Sequence, residues 1–155
     1  PQRFNEIASL VEARQFKLCR RSDGSLPGAD TQVWLGDSMG EMPAYFAVAD
    51  LALMGGTLLP FGGQNLIEAA ACGCPVLVGE HCFNFAQATA DALACGAALR
   101  ITDADDAVAT VENLLGNANC VDRLHTMRDA AASFSLAHRG ATAKTIALIH
   151  ETLKQ

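Results

Sequence analysis

Apolar positions along this chain fall into short runs bounded by turn residues and into longer stretches with a helical period. Leu51 to Met54 is one short run and ends at Gly55-Gly56. Val76-Leu77-Val78 is another and ends at Gly79. Runs this short, without polar alternation, predict strands buried on both faces. Between them, a loop from Thr57 to Gly63 contains one proline and two glycines. Gln64-Asn65 then opens a helical pattern with Leu66, Ile67, Ala70 and Ala71 on its apolar side, and Gly73 and Pro75 stop it. The centre of the chain is thus predicted as strand, glycine-rich loop, helix, strand.

The flanking segments continue the alternation. Pro1 to Gln15 predicts a helix with Phe4, Ile7, Ala8, Leu10 and Val11 on one side, Pro being compatible with a helix start. Phe16 to Arg20 predicts a strand, and Ser22 to Thr31, with two glycines, one proline and two aspartates, a loop. Val33-Trp34-Leu35 is a brief strand ending at Gly36-Asp37. Asp37 or Ser38 is placed to cap a helix from Gly40 to Val48, with Met42, Tyr45, Phe46 and Ala49 inward. Beyond the loop Glu80 to Phe83, Asn84 is placed to cap a helix through Ala94 that Gly96 ends. Ala97 to Ile101 is strand-like. Thr102-Asp103 caps a helix to Leu115 with Ala107, Val108, Val111, Leu114 and Leu115 on its face, broken at Gly116-Asn117. Asn119 to His138 predicts a longer helix through Val121, Leu124, Met127 and Ala131. After a bend at His138 to Gly140, a last helix carries Ile146, Leu148 and Ile149 to about Leu153.

Strands alternating with helices over short links predict an α/β, Rossmann-like parallel sheet with helices on both faces. Ligands of such sheets sit outside the carboxyl ends of the strands. Gly36, Gly55 and Gly79 each follow a strand, so that edge collects the glycine loops. A doubly wound domain begins with a strand, whereas this chain begins with a helix, so the first strand is expected to be lacking.

Composition narrows the partners. At 155 residues and half apolar, the chain is expected to form one domain with a real core. A net charge of −6 argues against a nucleic-acid partner. No apolar run approaches a membrane span, no signal peptide is visible, and the chain reads as soluble. Of six cysteines, at 19, 72, 74, 82, 95 and 120, several lie in apolar helix or strand contexts, and they read as reduced thiols of a cytosolic protein. Cys72, Cys74, His81 and Cys82 invite a zinc reading. Their C-x-C spacing across a helix stop is not a C-x₂-C knuckle, so packing is the better account and no metal is expected.

The familiar nucleotide and hydrolase signatures are absent: there is no G-x-G-x-x-G, Walker A lysine or G-x-S-x-G elbow. Three pieces remain. The turn Gly36 to Glu41 follows a strand and opens a helix, which an ordinary capped turn would also explain. The pairs Gly55-Gly56 and Gly62-Gly63 bracket a loop ending at the helix start Gln64-Asn65, where unpaired amides make an anion site. Glu68 shares a helix face with Asn65, and its carboxylate could accept hydrogen bonds from ribose hydroxyls. A solvated helix face explains Glu68 as well. Together these are the parts a sugar-nucleotide donor needs.

The segment GDSMGEMPAYFAVADLALMGGTLLPFGGQNLIEAAACGCPVLVG and the following HCFNF resemble the C-terminal domain of bacterial 3-deoxy-D-manno-octulosonic acid (Kdo) transferases. PQRF and FKLCRRSD match as well, so the resemblance covers nearly the whole chain. It implies the C-terminal, donor-binding half of a GT-B glycosyltransferase that moves Kdo from CMP-Kdo to the lipid A precursor, at the cytoplasmic face of the inner membrane. By the same resemblance, Met39, Gly40 and Glu41 lie near the cytidine. Gly55, Gly56 and Thr57 line the donor cleft, with Gly62, Gly63 and Gln64 beside them. The Asn65 helix start faces the phosphate, and Glu68 holds the ribose. The family's acceptor domain, its catalytic carboxylate and its membrane-binding surface precede this segment, so no catalytic residue, metal or cofactor is assigned within it. The implied partners are CMP-Kdo directly, and the lipid A precursor and membrane surface through the acceptor domain. Two departures stand out. Gln64 and Ala69 replace the His and Pro of many relatives, and Gln cannot become cationic. The family's Arg-His pair just before the position of Pro1 is absent.

Overall fold

The structure, a computed structural model, describes residues 3–116, 121–138 and 140–153. The chain divides into two compact units, Pro1–Met42 and Pro43–Gln155.

In the first unit α1 (Phe4–Ala13) precedes β1 (Leu18–Arg20), a 3-10 turn (Arg21–Asp23) and β2 (Val33–Leu35). Ala8 is buried and Phe4, Ile7 and Val11 half-buried, the i, i+3, i+4, i+7 set of one helix face. Leu10, expected on that face, is exposed: two residues from Ala8, it points nearly the opposite way. The strand begins at Leu18 rather than Phe16 because the chain is still turning. Gln15 takes a left-handed φ of 61°, and the Phe16 amide bonds back to the Val11 carbonyl. β1 and β2 run parallel, with Leu18 opposite Val33 and Arg20 opposite Leu35.

The second unit contains β3 (Ala52–Leu53), α3 (Leu66–Ala71), β4 (Val76–Val78), a 3-10 turn (Phe83–Phe85), α4 (Ala86–Ala94), β5 (Ala98–Arg100) and α5 (Ala104–Leu115). Two further helices follow, α6 (Val121–Ala137) and α7 (Ala141–Thr152); α2 (Met42–Val48) leads into β3. The strands pair parallel in the order β3-β4-β5. All of β4 is buried, and its residues alternate between two cores. Val76 and Val78 pack with Leu66, Ala69 and Ala70 of α3, Ala92 of α4, and Ala131 and Phe134 of α6. Leu77 faces the other way, against Ala107 of α5 and against Ile101, which follows β5. Helices therefore cover both faces of this sheet. Burying one side chain such as Leu77 contributes roughly 1.5–3 kcal/mol.

The α/β class, with parallel strands flanked by helices, is as expected, and the described strands pair in two groups, β1-β2 and β3-β4-β5. Several expectations change. Met42 is exposed, while Tyr45, Phe46 and Ala49 are half-buried. α3 buries Ala69, not Ala71, since residues 66, 69 and 70 share one face. Asn84 does not cap α4: Phe85 occupies that position, and the Asn84 amide donates to the Phe61 carbonyl at 3.3 Å. On α5 Ala107 and Leu114 are buried, whereas Val108 and Leu115 are exposed. Ile146 and Ile149 of α7 are exposed too. Pro1, the break at Asn117, the start at Asn119 and the side chains of Val121 and Leu148 lie outside the described residues.

Candidate functional site

In the first unit β2 delivers the chain at Leu35 into the turn Gly36 to Glu41. Asp37 does not cap a helix. Its side chain is 2 % exposed and accepts from the Ser22 amide at 2.8 Å, the Ser22 hydroxyl at 2.6 Å and Arg20 Nε at 2.8 Å. The Ser22 hydroxyl does most to hold this carboxyl well below the ordinary carboxylate range. Burial opposes it, and Arg20 and the Ser22 amide add to the lowering. Glu41 accepts from Arg21 at 2.8 Å on one oxygen and from the Ser38 hydroxyl on the other. Between these two anchors Met39 is 73 % exposed, and Gly40 adopts a φ of +79°.

In the second unit β3 leads into the loop that joins it to α3, closed by a hydrogen bond from the Gly63 amide to the Gly56 carbonyl at 3.0 Å. Thr57 lies inside it, 1 % exposed. Its hydroxyl donates to the Met54 carbonyl at 2.7 Å and accepts from the Gly79 amide at 2.9 Å. Gly79 has to be glycine because a Cβ there would strike the Thr57 carbonyl. Gly62 has φ +89° and lies against Asn84 and Phe83, which a Cβ would overlap. Thr57, Gly62 and Gly63 are buried parts of the scaffold, while Gly55, Gln64 and Glu68 form its exposed surface with the half-buried Asn65. Gly55 and Gln64 adjoin: a Cβ on Gly55 would lie 4.0 Å from Gln64 Cγ. The Asn65 side chain accepts from the Ile67 amide at 3.1 Å and donates to Glu68 Oε1 at 3.0 Å. One first-turn amide is therefore already capped, and Glu68 is oriented by its neighbour.

The structure thus brings Gly55, Gln64, Asn65 and Glu68 together at the carboxyl end of β3, and places Met39, Gly40 and Glu41 in the other unit. Sequence reasoning did not single out Arg100, the last residue of β5. Its guanidinium donates to the Gly79 carbonyl. A cavity of about 280 Å³ is lined by Glu80, His81, Cys82, Phe83, Thr89 and Arg100 among others. The Thr89 hydroxyl is buried without a hydrogen-bond partner among the described residues. A cation ending a strand on the ligand-binding edge is the signal that would have found Arg100. Arg20, Arg21 and Ser22 also escaped functional notice, because nothing local in FKLCRRSD links it to residues 37 and 41. Among the described residues no three His, Cys, Asp or Glu side chains come together to hold a metal, and no helix is long and apolar enough to cross a membrane.

The family described as glycosyl transferases group 1 matches residues 12–134. The chain belongs to this family. The group 1 match runs through both units. Relatives named 3-deoxy-D-manno-octulosonic acid transferase are 47 % identical over 154 residues in Bordetella pertussis and 35 % identical over 156 residues in Haemophilus influenzae. These alignments take in 99 % and 100 % of this chain but 35 % and 36 % of those proteins, so the chain spans about a third of their length. A crystal structure of the C-terminal CMP-Kdo binding domain of WaaA from Acinetobacter baumannii superposes with a TM-score of 0.76 at 29 % identity. It covers 85 % of this group 1 chain and 69 % of the WaaA chain.

Proposed function

We propose that this chain is the donor-binding domain of a GT-B Kdo transferase, and that the longer protein moves Kdo from CMP-Kdo to the lipid A precursor at the inner membrane. The observation that carries this reading is the likeness, over 85 % of the chain, to a domain described as binding CMP-Kdo. The 47 % identity to a transferase of that name supports it.

Donor binding divides among the assigned residues. Met39, Gly40 and Glu41 meet the cytidine. Gly55, Gly56 and Gln64 face the donor, with Thr57, Gly62 and Gly63 fixing the loop behind them. The amides at the Asn65 helix start meet the phosphate as it departs, and preorganised donors aimed at developing charge are an effective form of catalysis. Glu68, oriented by Asn65, accepts from the ribose hydroxyls. The general base that activates the acceptor hydroxyl lies in the acceptor domain, the reaction inverts the anomeric centre, and no metal takes part.

An amide NMR titration of the chain with CMP tests the assignment. Shifts should cluster at Met39–Glu41, Gly55–Thr57 and Asn65–Glu68, and UMP should compete poorly; no shifts at millimolar CMP would overturn it. In the full-length enzyme Glu68→Ala should weaken CMP binding about tenfold, as loss of a hydrogen bond to a charged group does. Unchanged affinity would remove Glu68 from the ribose site. The 155-residue chain alone should show no transferase activity with CMP-Kdo and lipid A precursor, and turnover by it would refute that prediction.

A further inference from the structure

Three consecutive residues at the end of β1 hold both ends of the turn that follows β2. Arg20 and Ser22 bind Asp37 through three hydrogen bonds of 2.6–2.8 Å. Arg21 binds Glu41 at 2.8 Å, and the Ser38 hydroxyl takes the second carboxylate oxygen. Arg20 is itself braced, since its other arm donates to Asn5 of α1 at 3.0 Å. The two residues between the anchors, Met39 and Gly40, stand exposed, and a Cβ on Gly40 would meet no atom within 4 Å. A turn clamped at both ends, with its middle presented to solvent, is built to be rigid where it is bare. Rigidity before binding removes the ordering cost from the binding step. Arg21 also offsets the negative charge of Glu41.

We infer that Arg20, Arg21 and Ser22 are positioning residues that preorganise Met39 and Gly40 for the nucleotide. This rests on the donor-site reading for its ligand, but the clamp itself is measurable without one. The test uses ¹⁵N relaxation on the chain with Arg21→Met, Arg21→Lys and Ser22→Ala. A surface control, Arg3→Met, breaks the exposed Arg3–Glu6 pair and makes the same charge change. Order parameters of the Met39 and Gly40 amides should fall in Arg21→Met and Ser22→Ala, stay unchanged in Arg3→Met, and recover in Arg21→Lys. The Kd for CMP should rise about fivefold in Arg21→Met, a size suited to a half-exposed ion pair, and return toward the starting value in Arg21→Lys. Unchanged order parameters in both clamp variants would overturn the inference, as would an equal loss in the control. If the unsubstituted chain ignores CMP while the order parameters respond as expected, the donor-site reading fails and the clamp stands.

Discussion

At Thr57 one hydroxyl joins two stretches of chain, donating to Met54 and accepting from Gly79 while the residue is 1 % exposed. Removing it leaves a carbonyl and an amide buried without that partner. Thr57→Val, which keeps the shape, should therefore lower the unfolding free energy by about 3 kcal/mol, and Thr57→Ser by about 1 kcal/mol. Urea titrations of the two variants check this; equal losses would show that the methyl, not the hydroxyl, matters. Cysteine environments differ in the same local way. Burial pushes the Cys74 thiol up to about 11, with Arg128 pulling it down and Cys72 and Asp50 adding to the rise. It stays protonated at pH 8, and the thiolate is the reactive form. Cys95 is exposed. Alkylation followed by mass spectrometry should label Cys95 and leave Cys74 unmodified until the chain unfolds.

Among the elements, α5 has the best-defined start. Asp103 accepts from the Asp106 amide at 2.9 Å, and Asp106 in return accepts from the Thr102 amide at 2.8 Å. Such reciprocal capping satisfies amides that the helix cannot pair internally. Asp103→Ala should cost about 1 kcal/mol, and Asp103→Asn much less, because Asn caps equally well. The helix also covers Leu77 through Ala107, so exchange of the β4 amides should rise with loss of the cap. α4 shows the opposite case. Asn84 had the right residue type and place for a cap, yet its amide is engaged by the Phe61 carbonyl across the loop. A tertiary partner displaced the local one.

For the molecule as a whole, stability against acid should depend on Asp37. Its pKa is lowered in the folded chain, so its contribution is fully present above the ordinary carboxylate value near 4 and is lost as pH falls toward the folded value. Unfolding monitored from pH 7 down to pH 2 should show a steeper loss below about pH 4 than in Asp37→Asn, whose curve should be flatter. Identical pH slopes would mean the carboxylate is equally well held in the unfolded chain.

What the sequence determined by itself is the alternation of strands and helices and the glycine loops at the carboxyl ends of the strands. Period and turn residues are local, so Val76 to Val78, Asp103 and the helix opening at Asn65 were legible along the chain. The residues of the candidate site were legible for the same reason, together with a resemblance over nearly the whole length. Tertiary structure decided the rest. Sheet pairing depends on which edges find partners: β1 pairs with β2, and β4 lies between β3 and β5. Whether a site residue faces solvent or the interior depends on what folds against it, which is why Thr57, Gly62 and Gly63 are scaffold and Gln64 and Glu68 surface. The β1-side partners of Asp37 and Glu41 lie 15 to 20 positions away in sequence, and only folding brings Ser22 and Arg21 to the turn they hold.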